Sequence, residues 1–278
     1  MGVTKEEVLQ SAQELKPFND TTTRLLAIMG DPTHSLHNLT ELIQTDAVLS
    51  LRVLQHANRY CTHIERKIET IDEAIFFIGE ATLTALILSR EAHIYGELPG
   101  YSTNATSLWD HSLKTALYSH YFIEKIVQDR HLAKVAYTAG LIHDIGKILL
   151  SPHLPKEHSL LVDSPDFLEK EKELTGFTHT EAGQLIAKTW KLPRSLRQAI
   201  TWHHAPSQAN KRFQPLTYAV HLGDIASMIT GTGTGIDSFS YLLDESYPEH
   251  IPIGEDDFSA AMLAVEAAYT ATRSQLQL

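Results

Sequence analysis

Gly140-Leu141-Ile142-His143-Asp144-Ile145-Gly146-Lys147 sets an imidazole and a carboxylate side by side at the end of an otherwise apolar run. Upstream, Ala136, Ala139, Gly140 and His143 fall at i, i+3, i+4 and i+7, so one helix face is built of small residues and finishes on the histidine. Small residues let helices approach closely. The doublet is therefore expected between packed helices rather than on a solvated surface.

The same three-and-four spacing recurs along nearly the whole chain, and alternating β-branched runs are few, so the expected fold class is all-α. Asp31-Pro32 ends one segment, and Ser35 can cap the next, where Leu36, Leu39, Leu42 and Ile43 share a face. Thr70-Ile71-Asp72-Glu73 has the form of a capping box opening a helix through Ile78 that Gly79 ends, and Ala81 to Arg90 reads as another helix. Turn formers concentrate in 96–104, which divides the chain into an amino-terminal helical lobe, 1–98, and a ligand-bearing helical lobe, 99–278.

In the second lobe His111 is expected to open a helix with a buried stripe of Leu113, Ala116, Leu117 and Tyr121. Thr178-His179-Thr180-Glu181 is a second capping box, placing His179 in a first helical turn whose face continues through Ala182, Gly183 and Ile186. Pro193 suits the start of the following helix, on which Leu196, Ala199, Ile200 and His203 share a side, as Val220, Gly223 and Asp224 do on the next. Between Ser151 and Thr175 the chain reads as a loop or a short exposed helix with solvated Glu169, Glu171 and Glu173. Thr230-Gly231-Thr232-Gly233-Thr234-Gly235 is a flexible turn without the Lys-Ser/Thr of a P-loop. Phe258 to Arg273 reads as an amphipathic helix through Ala261, Leu263, Ala264 and Ala267, packed on the body or on another subunit.

Ligand-type side chains thus recur in one order: His111, His143 with Asp144, His179, His203 with His204, and Asp224. Imidazole nitrogen and carboxylate oxygen suit a divalent transition metal such as Fe, Mn, Zn, Ni or Co, and the lack of thiolate argues against a closed structural zinc site. Lys147, one turn from His143, could neutralise charge developing on a phosphoryl group, or simply be a cation placed at a helix carboxyl end. His221 is read as a neighbour of Asp224 pointing elsewhere, Trp109, Trp190 and Trp202 as core aromatics, and His34, His37, His93, His131, His153, His158 and His250 as surface residues.

The doublet and its companions resemble the HD superfamily of metal-dependent phosphohydrolases. That resemblance implies His111, His143, Asp144 and Asp224 around one metal, and His179, His203 and His204 with a bridging Asp144 around a second. A bridged pair roughly 3.5 to 4 Å apart is the arrangement of two-metal hydrolases, which activate water for in-line attack on phosphorus. Asp144 and Lys147 are then the candidate catalytic residues. The likeness to the HD-GYP type stops after Lys147, where Ile148-Leu149-Leu150-Ser151-Pro152 replaces Gly-Tyr-Pro.

A wider resemblance, over roughly residues 10 to 250, is to the HDOD family of HD-related output domains. Its phrases are Thr45-Asp46-Ala47-Val48-Leu49-Ser50-Leu51-Arg52-Val53-Leu54, Ala57-Asn58, Ile71-Asp72-Glu73-Ala74-Ile75 with Ile78-Gly79, Gly140 through Gly146, and Trp190-Lys191-Leu192-Pro193. Members are taken as regulatory modules of bacterial signalling, most with part of the ligand set lost; this chain keeps every ligand type. The implied function is a signal-transduction output module, as in response regulators, binding one or two divalent ions, with active phosphohydrolysis of a nucleotide or cyclic nucleotide as the alternative. The implied partners are a signalling protein or a nucleotide-like phosphate ligand, with a homodimer as a further expectation.

Composition narrows the field. The chain has 278 residues, 43% hydrophobic and 21% charged, ordinary for a globular protein with a substantial core. Apolar stretches are far shorter than the roughly 20 residues that cross a bilayer, and Met1-Gly2-Val3-Thr4-Lys5-Glu6-Glu7 has no signal-peptide pattern, so the expectation is a cytoplasmic protein without a membrane partner. Cys61 stands alone, which excludes an internal disulfide. A net charge of −11 repels a phosphate backbone, so no nucleic-acid polymer is expected as partner.

Overall fold

The computed structural model describes residues 5–14, 19–60, 67–89, 98, 100–101, 105–154, 167–232, 237 and 240–276. Among them regular structure is helical and no strand occurs, as the periodicity predicts. The amino-terminal part contains α1 (Lys5–Glu14), α2 (Asp20–Met29), α3 (Leu36–Gln44), α4 (Ala47–Tyr60) and α5 (Ile71–Ser89). Asn19 caps α2 by accepting from the Thr22 N–H, and Ser35 with Asn38 closes a capping box on α3. Gly79 breaks α5 with φ 77° and ψ 159°, where the sequence predicted a helix end. Leu25, Leu39, Ile43, Val53 and Ile75 form the core shared by α2 to α5.

A larger core follows from α6 (Ala105–Tyr121), which runs into a π-helical turn over Phe122–Val127, α7 (Arg130–Ile142), α8 (Gly146–Leu150), α9 (Phe167–Thr175), α10 (His179–Thr189), α11 (Arg194–Trp202), α12 (Gln214–Ile229) and α13 (Glu255–Leu276). α6 packs against α7, α12 and α13, and α10 lies against α8 and α11. A Cβ on Gly140 would stand 2.6 Å from Ala116 Cα, so α7 rests directly on α6, as its small-residue stripe implied. Val8 and Ala12 of α1 belong to this larger core, beside α8 and α10. No helix of the described residues is long and apolar enough to cross a membrane.

Some local expectations need correction. α6 begins at Ala105, so His111 lies inside it rather than opening it, with Leu108 and Trp109 already buried ahead of it. The stretch read as loop or exposed helix contains α9, whose Phe167, Glu171 and Thr175 are buried while Glu169 and Glu173 are exposed; residues 155–166 lie outside the described set. On α13 Ala261 is buried as read, but its companion in the buried stripe is Val265, at i+4, while Leu263 is 79% exposed and Ala264 and Ala267 are exposed. His34 is not a surface residue: its side chain is 3% exposed and pairs with Glu80 at 2.9 Å. His37 and His131 are exposed as read, and His153 and His250 are half-buried. Trp109 and Trp190 are core residues and Trp202 is half-buried. His93, His158, Cys61 and most of 96–104 and 233–236 lie outside the described residues.

Candidate metal centre

The end of α7, the start of α10, the end of α11 and the middle of α6 and α12 converge on one buried point. Each local arrangement has a sequence cause. Thr178 and Glu181 form the capping box that starts α10 and so fixes His179 in its first turn. Gly146 stands where the start of α8 crosses α10; a Cβ there would collide with the His179 carbonyl and lie 2.5 Å from Gly183 N. Only glycine allows that approach, and it brings Asp144 to His179.

All the predicted ligand residues come together, and none of their side chains is more than 5% exposed. Asp144 divides its oxygens between two sets. Oδ2 lies 3.4 Å from His143 Nε2 and 3.8 Å from His111 Nε2, and Oδ1 lies 3.4 Å from His179 Nε2 and 3.6 Å from His203 Nε2. Asp224 Oδ1 is 3.0 Å from His111 Nε2 and 3.8 Å from His143 Nε2, and its Oδ2 is 3.6 Å from His204 Nδ1. His179 Nε2 stands 3.0 Å from His204 Nε2 and 3.4 Å from His203 Nε2.

Most of these atoms do not satisfy one another. His111 Nε2, His143 Nε2, His204 Nδ1, Asp144 Oδ1 and Asp224 Oδ2 are buried without a geometrically formed hydrogen bond, although His111 Nε2 comes within 3.0 Å of Asp224 Oδ1. Orphaned buried polar atoms are costly, about 1–3 kcal/mol each, unless something shared meets them. The outer nitrogens explain their direction. His143 Nδ1 bonds the Gly140 carbonyl, His203 Nδ1 the Ile200 carbonyl, and His111 Nδ1 meets the Thr232 carbonyl and Ser227 Oγ. An imidazole that donates from Nδ1 presents the Nε2 lone pair to the centre, the usual support of a metal-binding histidine. Donors about 2.0–2.1 Å from one ion stand roughly 3.0–3.4 Å apart along the edges of an octahedron or tetrahedron, which is the spacing of the His179 set.

Electrostatics point the same way. Burial alone would raise the Asp144 and Asp224 carboxyls, but His143 and Lys147 around the first, and His111 and His143 around the second, hold both well below the usual carboxylate range. Burial pushes His203 down to about 4, and burial with His203 and His179 beside it pushes His204 well down, so both imidazoles are neutral near pH 7. For His111 burial acts downward and Asp224 more than reverses it. Around this centre the buried carboxylates of Asp144, Glu171, Asp224 and Asp237 outnumber the one buried ammonium, Lys147, which meets Asp144 and Asp237, and a cation among the imidazoles would balance the rest. The donor set, its burial and its charge fit a divalent ion, or two sharing Asp144.

Lys147 is itself buried, 2.7 Å from Asp144 Oδ2 and 2.5 Å from Asp237 Oδ2. Burial lowers its ammonium, yet the two carboxylates outweigh that and leave it raised. His221 is a neighbour, as read. Its Nδ1 bonds the His203 carbonyl and its Nε2 accepts from Asp244 N–H, so both nitrogens are used in holding the segment that carries His203.

Sequence reasoning missed Glu171, Asp237, Tyr101 and Tyr241. Glu171 accepts from the His179 N–H, His179 Nδ1 and Tyr101 Oη, and Tyr241 donates to Asp237 while stacking on His204 at 3.7 Å. One signal did exist: Phe167, Glu171 and Thr175 are spaced four apart, so the glutamate stands in the buried stripe of α9. Asp237 follows a glycine-rich stretch of sequence and has no such signal.

Comparison with known proteins adds the family context. A model of the HDOD domain matches residues 15–206. The chain is similar to a candidate signal-transduction protein of Marinobacter aquaeolei VT8, with 17% identity, a TM-score of 0.71 and coverage of 100% of this chain and 62% of that one. It is also similar to a candidate phosphohydrolase of Shewanella amazonensis SB2B, with 22% identity, a TM-score of 0.67 and coverage of 97% of each chain. Among curated proteins it is 24% identical over 219 residues to an uncharacterized protein of Treponema pallidum strain Nichols, covering 75% of this chain and 42% of that protein. The chain spans less than half the length of the curated relatives it matches. At these identities the structural likeness is one of fold.

Proposed function

The chain belongs to the HDOD family, and on that premise we propose that it is a signal-transduction module that holds divalent metal at its His–Asp centre. The observation that carries the metal reading is the division of Asp144 between two sets of buried imidazole nitrogens, of which His111 Nε2 and His143 Nε2 make no hydrogen bond and His179 Nε2 crowds against His203 Nε2 and His204 Nε2. His111, His143, Asp144 and Asp224 would hold one ion, and His179, His203, His204 and Asp144 another; Fe, Mn, Zn, Ni and Co all take this donor set. Burial of every donor supports a retained ion that stabilises the packing of α6, α7, α10, α11 and α12 around it. The signalling role is supported by family membership and by the Marinobacter relative, and its partner would be a signalling protein.

A second reading, hydrolysis of a phosphate ester such as a nucleotide or cyclic nucleotide, is favoured by the bridging position of Asp144 and by the Shewanella relative. Ions bound there would supply Lewis-acid polarisation and an activated water. Lys147 would be the group that meets a phosphoryl oxygen, and for that its ammonium has to leave Asp237 or Asp144, which now neutralise it.

The test is elemental analysis of protein purified without chelator or polyhistidine tag, beside Asp144→Ala, followed by phosphomonoester and phosphodiester assays. Metal lost in the variant, with no turnover, is the expected result. Turnover abolished by the variant would establish the hydrolase instead, and a metal-free wild type would sink both readings.

A further inference from the structure

We propose that Glu171 is a positioning residue that makes the His179 side of the centre the tighter of two metal positions, an inference that rests on the metal reading above. Glu171 is fully buried, and both of its oxygens are used. Oε2 accepts from the His179 main-chain N–H at 2.7 Å, both oxygens lie 2.9 to 3.0 Å from His179 Nδ1, and Oε1 accepts from Tyr101 Oη at 2.7 Å. An ionised carboxylate can only accept, so His179 Nδ1 carries the proton and Nε2 keeps its lone pair toward Asp144 Oδ1.

Three of the other histidines lack this arrangement. His111, His143 and His203 direct Nδ1 at main-chain carbonyls, with Ser227 Oγ also beside His111, and those partners are neutral. Glu171 sets a full negative charge within 3.0 Å of the Nδ1 of a ligand imidazole, whereas Asp224 Oδ2 lies 3.6 Å from His204 Nδ1 without a hydrogen bond, and the closer charge makes His179 the stronger donor. On the opposite side, Asp144 Oδ2 already meets Lys147 at 2.7 Å, and that ammonium repels a second cation and shares the oxygen it would use. The two positions sharing Asp144 are therefore unequal. The one formed with His179, His203 and His204 fills first, and the one on the His111 and His143 side is weaker.

The experiment is a titration of the metal-free full chain with Co²⁺ in competition with a chromophoric chelator, for wild type and Glu171→Gln, recording d–d absorption in parallel. Glutamine keeps an acceptor for Nδ1 and removes the charge. The tighter dissociation constant is expected to weaken about 10- to 100-fold while the weaker changes less than about twofold, with the cobalt spectrum of the first equivalent altered. Thermal unfolding of both metal-free proteins shows whether the fold is kept. Should Glu171→Gln not fold, Tyr101→Phe, which withdraws one support from the carboxylate, is read by the same titration and is expected to weaken the tighter constant alone. Both constants unchanged, or both weakened alike, overturns the inference. A wild type that takes up no Co²⁺ overturns the metal reading itself, and that is seen before any variant is made.

Discussion

Replacing Gly146 with alanine puts a methyl group where the start of α8 crosses the start of α10. The new Cβ would lie 2.5 Å from Gly183 N and closer still to the His179 carbonyl, whereas ordinary contact begins at 3.4 Å, so the two elements must part by about 0.9 Å or more. Both obstacles are backbone and cannot rotate away. α10 cannot retreat freely either, since Gly183 is itself pressed against α11, with Ile200 Cγ2 2.6 Å from where a Cβ would be. Overpacking of this kind costs about 1–3 kcal/mol, or roughly 2–12 °C in melting temperature at about 2–4 °C per kcal/mol. The displacement also falls on the approach of Asp144 Oδ1 to His179 Nε2, now 3.4 Å, and exceeds the roughly 0.5 Å within which a ligand set tolerates error. Urea denaturation combined with metal analysis of Gly146→Ala should show lower stability and loss of at least one ion. An unchanged midpoint with full metal content would refute the steric argument for glycine in this motif.

Two further outcomes follow from the structure. The Glu80 carboxylate at 2.9 Å holds the His34 imidazole above its ordinary value against the effect of burial, and burial of Glu80 is outweighed by His34 and Lys134, which leave its carboxyl lowered. Stability carried by His34 is thus full below about pH 6.5 and is lost as pH rises through the raised value, whereas that carried by Glu80 is lost only in acid; His34→Gln should destabilise more at about pH 6 than at about pH 9 in urea titrations, and equal losses would contradict the pairing. On α13, Val265→Asp should cost over about 2 kcal/mol, having been buried, and Leu263→Asp less than about 0.5 kcal/mol; the reverse order would restore the face read from sequence.

Local rules were enough for much of this molecule. Ser35 and Thr178 cap their helices, Gly79 breaks α5, and the small-residue face of α7 rests on α6, because each depends on residues within a turn or two of one another. The burial of the candidate ligand residues was legible for the same reason: each of His143, His179, His203 and Asp224 stands on the apolar face of its own helix, so burial was implied before any partner was known. What the tertiary structure alone decided are the charges whose burial depends on a distant group. Glu169, Glu171 and Glu173 look alike in sequence, but only Glu171 is turned toward His179 and Tyr101, 70 residues away. Asp237 is buried because Lys147, 90 residues earlier, meets it, and His34 because Glu80 does. Periodicity reports which face of a helix is apolar. It says nothing about which carboxylate will find a cation or an N–H across the core, and desolvation makes that long-range pairing, rather than the residue's own neighbours, the condition for burying it.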